Sequence, residues 1–182
     1  MLPPAPPFVP VEQDLRAALL VADDLPTGFK ASEVPGLDDG SLAGCPLLAN
    51  DPPGTTATSS AVFVHTVGTT VSESLLHVGD RSGEAMAAFD TLAQVCARFE
   101  GTLFDTTLEF TTTRAAPPAV GDAAVAVRIA ISLPGGPTLI TQDVVVVSHG
   151  GTVIVVSVLL APDDGFLPSV VTRAVQKVAA RW

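Results

Sequence analysis

The chain has 182 residues, a formal charge of −10 from 19 acidic against 9 basic residues, 47% hydrophobic residues and only 15% charged ones. That composition excludes wholesale disorder and suits one domain with an aliphatic core, in which Phe is the large filler because Tyr is absent and Trp occurs once. An acidic surface without a cluster of Lys or Arg repels a phosphate backbone and an anionic membrane surface, so a nucleic-acid partner is not expected.

Residues 1–10 contain Pro3, Pro4, Pro6, Pro7 and Pro10 and read as an extended linker. They are too rich in Pro for an apolar signal helix. The expectation is the end of a stalk, with any targeting segment or anchor upstream of residue 1. A cytosolic chain with a ragged start is the competing reading. Residues 11–182 are expected to form a single domain. No apolar run approaches the roughly 20 residues of a membrane-spanning helix.

Val11, Leu15, Ala18, Leu19 and Ala22 recur at helical spacing, and the helix is expected to end before Pro26. Residues 26–60 read as a long loop, which is unusual in a compact domain. Leu42-Ala43-Gly44-Cys45 spells a lipoprotein cleavage box, but no basic start and apolar run precede it, so lipidation at Cys45 is not expected. Ala61–Val67 and Val71–Val78 read as strands joined by Gly68-Thr69-Thr70, which would set His65 opposite Glu73.

The stripe Ala85, Ala88, Phe89, Leu92, Cys96 and Phe99 predicts a helix with Ser82 as its N-cap. Cys96 then points into the core, within reach of a loop cysteine. Cys45 and Cys96 form an even pair without a CxxC motif, which suits one disulfide closing a long loop, with two buried thiols as the competing reading. A bridge between them would contribute roughly 3–4 kcal/mol by restricting the unfolded chain.

Strands are expected at Thr102–Thr112, Ala123–Leu133, Thr138–Ser148 and Thr152–Leu160, with turns at Pro134–Pro137 and Gly150-Gly151, and a last helix after Asp163-Asp164. The fold class is therefore α+β: an antiparallel sheet of about six strands with three helices packed on it, in the order α-β-β-α-β-β-β-β-α.

Alternation in Ala123–Leu133 gives one face of Val125, Val127, Ile129, Ile131 and Leu133. The other face carries Ala124, Ala126, Arg128, Ala130 and Ser132. If Leu133 pairs with Thr138, Arg128 lies opposite Asp143, with Glu109 as a further neighbour and Val145, Val147, Ile154 and Val156 on the same face. This face is either an open groove with a charged rim or a covered layer with a cross-strand ion pair at its edge. Arg128, Asp143, His65 and Glu73 are the candidate ligand-binding residues.

Catalytic signals are weak. The three histidines lack metal-ligand spacing, so no metal is expected. Asp23-Asp24, Asp38-Asp39 and Asp163-Asp164 sit at element ends and do not form a facing carboxylate pair. Gly79–Gly83 lacks the spacing of a nucleophile elbow, which leaves a Ser82 hydrolase only as a distant option. No phosphate-cradling or dinucleotide motif is present, and no cofactor is expected.

The stretches Leu19–Phe29, Ala85–Phe99, Val120–Arg128 and Asp143–Ser157 resemble, in order, the extracellular sensor domain of mycobacterial serine/threonine protein kinase H and the related lipoproteins of high-GC bacteria. The resemblance implies an α+β domain outside the cytoplasmic membrane that senses or binds a small molecule or cell-envelope component and performs no catalysis. The kinase member looks stabilised by two disulfides, whereas this chain has cysteines for one. The alternative function is a surface protein-interaction module that buries the Val145/Val147/Ile154/Val156 face against a partner.

Overall fold

The computed structural model describes residues 8–33, 42–103 and 105–182, the last of these segments reaching the C-terminal Trp182, and omits the side chain of Leu103. Most of the Pro-rich linker, the Asp38-Asp39 pair and Phe104 lie outside the described residues. The elements in chain order are α1 (Glu12–Ala18), β1 (Phe29–Ser32), α2 (Pro46–Ala49), β2 (Ala57–His65), β3 (Thr70–His77), α3 (Ser82–Asp90), α4 (Leu92–Val95), β4 (Arg98–Leu103), β5 (Thr106–Ala115), β6 (Ala123–Ser132), β7 (Thr138–His149), β8 (Thr152–Leu159) and α5 (Phe166–Ala179).

The fold is α+β, with one antiparallel sheet of eight strands in the order β1-β2-β3-β8-β7-β6-β5-β4. Two meanders, β1–β3 and β4–β8, join where β8 pairs with β3. The crossover between them runs through α3 and α4 to the far edge of the sheet.

Helices pack on both faces of the sheet, although Thr58, Ser60 and Val64 of β2 stay exposed on one of them. On one, α1 and α5 pack Leu15, Ala18, Val170, Val171, Ala174 and Val178 onto Phe63, Val71, Leu75, Val145, Val147, Ile154 and Val156. On the other, α3 and α4 pack Ala85, Met86, Phe89 and Leu92 onto Phe110, Val127, Ile129, Ile131, Val144 and Val146. The chain therefore buries the Val145/Val147/Ile154/Val156 face under its own helices, which overturns the expectation of a partner there. A face at most 1% exposed has nothing left to offer one.

The strand count rises from six to eight for two local reasons. The expected strand Thr102–Thr112 is split into β4 and β5, with Asp105 in the left-handed region (φ 59°), a conformation Asp tolerates. The expected long loop also contains β1, which pairs Phe29 with His65, and the single turn α2.

Two helices are shorter than their apolar stripes suggest. Helix α1 stops at Ala18 because the Leu20 amide bonds to the Glu73 carboxylate rather than to a helix carbonyl. Helix α3 stops at Asp90, and Phe99, read as helical, lies on β4. Ser82 caps nothing: it is the first helical residue after a 3-10 turn, and its hydroxyl makes no capping bond.

Cys45 and Cys96 are joined as a disulfide with Cα atoms 5.4 Å apart, and both are buried. The bridge ties the segment before α2 to the end of α4.

Candidate functional site

The β6–β7 register sets Arg128 opposite Asp143, although a bulge at Ile131/Ser132 pairs Ser132, not Leu133, with Thr138. The contact is bidentate: Arg128 Nε donates to Oδ1 at 2.6 Å and its terminal nitrogen to Oδ2 at 3.1 Å. Asp143 is mostly buried at 14% side-chain exposure, while Arg128 stands half in solvent at 55%. The hydrogen bonds and charge of Asp143, with the nearby charge of Asp164, hold the guanidinium firmly in its charged form.

The pair lies in a cleft of about 710 Å³ where α5 stops short of the β5–β6 side of the sheet. Ala126 and Val145 form its floor beside Arg128 and Asp143. Pro117 and Pro118 form one wall, and Pro162, Asp164 and Leu167 the other. Ala126 contributes the smallest side chain of that floor. The volume falls in the range of small-molecule sites.

The other expected neighbours are elsewhere. Glu109 pairs with Ser132 and accepts from Arg98 at 2.6 Å, and Thr113 holds the place opposite Arg128. Glu109 therefore lies on the same face as Arg128 but four positions further along the β5–β6 pair.

His65 and Glu73 do not meet. Gly68 donates to the His65 carbonyl and His65 to the Thr69 carbonyl, so the turn is Thr66-Val67-Gly68, with Gly68 at φ 96°. Glu73 then pairs with Ala61, and His65 with Phe29 of β1. His65 Nε2 contacts the Thr27 carbonyl at 3.3 Å and Nδ1 accepts from the Val67 amide, so the imidazole braces two turns. Its ring lies against Gly28, whose φ of 107° and lack of a Cβ permit the approach.

Glu73 is fully buried on the sheet face that α1 and α5 cover. Its Oε2 accepts from the Leu20 amide at 2.6 Å, and its Oε1 has no hydrogen-bond partner among the described residues. Burial pushes its pKa up to about 7, against the opposing pull of the Leu20 amide and Lys177.

A neighbouring cluster escaped the sequence reading. Asp24, with its side chain 5% exposed, accepts from Lys177 at 2.6 Å and from Arg173 at 2.8 Å. Burial pushes the Asp24 carboxyl up, but hydrogen bonds from Lys177, the Val21 amide and Arg173 outweigh it and hold the group below the usual range. The signal was present as two cations one helical turn apart in α5, but their partner lies 149 positions away in sequence from Arg173.

Among the described residues no group of three or more His, Cys, Asp or Glu is placed to hold a metal ion, and no helix is long and apolar enough to cross a membrane.

No protein-family profile matches the chain, and no curated protein sequence does. The fold is that of the extracellular domain of PknH from Mycobacterium tuberculosis, with a TM-score of 0.67 over 93% of this chain and 97% of that one at 14% identity. An Rv0999 ortholog from Mycobacterium smegmatis aligns with a TM-score of 0.49 over 94% of this chain and 96% of that one at 13% identity.

Proposed function

We propose that this chain is an extracytoplasmic ligand-binding or sensor domain of a secreted or membrane-anchored protein, that it catalyses no reaction, and that it takes a small molecule or cell-envelope component in the cleft beside Arg128 and Asp143. The observation that carries the reading is the cleft itself. It offers about 710 Å³, an apolar floor, and a guanidinium that Asp143 orients from below while its outer N–H groups stay free to donate. The disulfide supports a location in an oxidising compartment. The shared fold with an extracellular domain supports the same location.

The test is a native mass measurement on protein exported to an oxidising compartment, followed by binding assays on wild type and Arg128→Ala with whatever molecule is found. A mass adduct that Arg128→Ala loses, while the melting temperature hardly moves, supports the reading. Equal loss of folding and binding reduces the Arg128–Asp143 pair to a brace within the sheet. No adduct, and no binder in a library of envelope-derived small molecules, overturns the assignment.

A further inference from the structure

The central strands of a sheet covered on both sides are expected to be apolar on both. On the α3 face, β3, β7 and β8 depart from this. Ser72 pairs with Ser157, half-buried Ser74 lies one step along beside Val155 with its hydroxyl 2.9 Å from that of exposed Ser60, and Gln142 lies next to Ser157. Gln142 is 4% exposed and Ser157 7%, a degree of burial at which apolar side chains are the ordinary choice. The Gln142 amide donates to the Ser157 hydroxyl at 3.1 Å, and its Oε1 has no partner among the described residues. An amide left half satisfied in the middle of a sheet is an expensive feature. Reversing the amide exchanges the roles and leaves a donor idle instead of an acceptor.

A gap of about 120 Å³ lies over this hydroxyl floor. Its roof is Leu42, Leu47 and Leu48 from the segment around α2, with Phe89 from α3 at the side. The segment is pinned by Cys45, which immediately precedes α2 and is bonded to Cys96. A second space of about 220 Å³, lined by Pro46, Leu47, Pro52, Pro53, Ala88 and Phe89, adjoins the first across Leu47 and Phe89. Among the described residues, neither space is lined by Lys, Arg or His, and Asp51 is the ionisable residue they share.

We propose that these two spaces form a second binding site, separate from the cleft at Arg128, which takes a neutral amphiphile with its hydroxyl head on the Ser72/Ser74/Ser157 floor and its apolar body between α2 and α3. A hydroxyl both donates and accepts, so it extends the Gln142–Ser157 hydrogen bond into a continuous chain whichever way the amide is turned. A carboxylate or phosphate head finds no cation here and meets Asp51 instead. The roof is held by the disulfide, so the site is a property of the oxidised protein.

The experiment is calorimetric titration of the oxidised full chain with 1-decanol and, separately, with decanoate at neutral pH. Saturable binding of decanol, with decanoate weaker by about tenfold or more, is the expected result. The double variant Gln142→Leu/Ser157→Ala removes both polar partners together, so it leaves no orphaned group and keeps its melting temperature. It should weaken decanol by about tenfold, the value of one well-made hydrogen bond. Ser72→Leu, at a half-buried position, fills the gap and serves as the second variant should the double one fold poorly. Reduction of the disulfide should abolish decanol binding, and Arg128→Ala should leave it unchanged. The proposal is overturned if decanol shows no saturable binding, which leaves a pocket for ordered water only. It is equally overturned if decanoate binds as well, or if both the folded double variant and Ser72→Leu bind like wild type.

Discussion

The Leu20 amide, two residues past the end of α1, donates to the Glu73 carboxylate at 2.6 Å. This one bond draws the Leu20 amide out of the helical ladder and gives a buried carboxylate its hydrogen-bond donor.

Glu73 makes stability depend on pH in a predictable sense. Its pKa rises from 4.5 in the unfolded chain to about 7 in the fold, so the native state holds the extra proton between those values. The associated stability is full below pH 4.5, falls as pH rises through this window, and levels off above 7. The loss is on the order of 3 kcal/mol. Buried His77 has a lowered pKa and acts in the opposite sense, losing stability as pH falls through its unfolded value of 6.5. Comparison with Glu73→Gln isolates the carboxyl: urea unfolding at pH 5 and pH 8 should show the variant stabilised relative to wild type at pH 8 but not at pH 5. An identical pH profile in the two proteins would contradict the assignment.

Lys177 supports both Asp24 and the charged form of Glu73. Lys177→Met should raise the Glu73 titration further and move the pH-sensitive window upward. It should also destabilise the fold by about 1–3 kcal/mol at pH 7, because Asp24 keeps Arg173 as its one cation, with the Val21 amide beside it. The carboxyl 13C chemical shift of Glu73 against pH reads the first effect, and urea unfolding the second.

The Cys45–Cys96 bridge closes a loop with a sequence separation of 51. Its reduction should cost roughly 3–4 kcal/mol and lower the melting temperature. Unreduced protein in denaturant should take up no thiol reagent, and reduced protein should take up two equivalents.

Gly28→Ala should destabilise by more than about 1 kcal/mol, since φ is positive and the added Cβ would sit 2.3 Å from His65 Nε2. In a His65→Ala background the penalty should shrink to its backbone part. A double-mutant cycle by thermal unfolding measures the difference.

The sequence made some of this visible and concealed the rest for physical reasons. Alternation across residues 123–159 announced β6, β7 and β8, and the Pro134–Pro137 turn set Arg128 against Asp143, because register in a hairpin is a local matter. The His65–Glu73 pairing failed because the three-residue turn sits at Thr66-Val67-Gly68, two positions before Gly68-Thr69-Thr70, and that displacement moves the partner of Glu73 by four residues to Ala61. β1 has four residues at the sheet edge, too few to show a period. Burial of Glu73 and Asp24 depends on α1 and α5 meeting over β3, a coincidence of distant segments that no window on the sequence reveals. The cleft was legible only as small Ala positions near Arg128; where α5 ends relative to them is a property of the tertiary fold.

The position of β8 between β3 and β7 has a consequence for how the chain assembles. Until residues 152–159 are available, β3 and β7 each present a bare, valine- or leucine-bearing edge that invites association with another chain. The β3–β8 pairing joins segments about 80 residues apart, and truncation inside β8 should yield an aggregating product, not a smaller folded domain. A polypeptide emerging N-terminus first carries two separate half-sheets until its second-last element closes the seam.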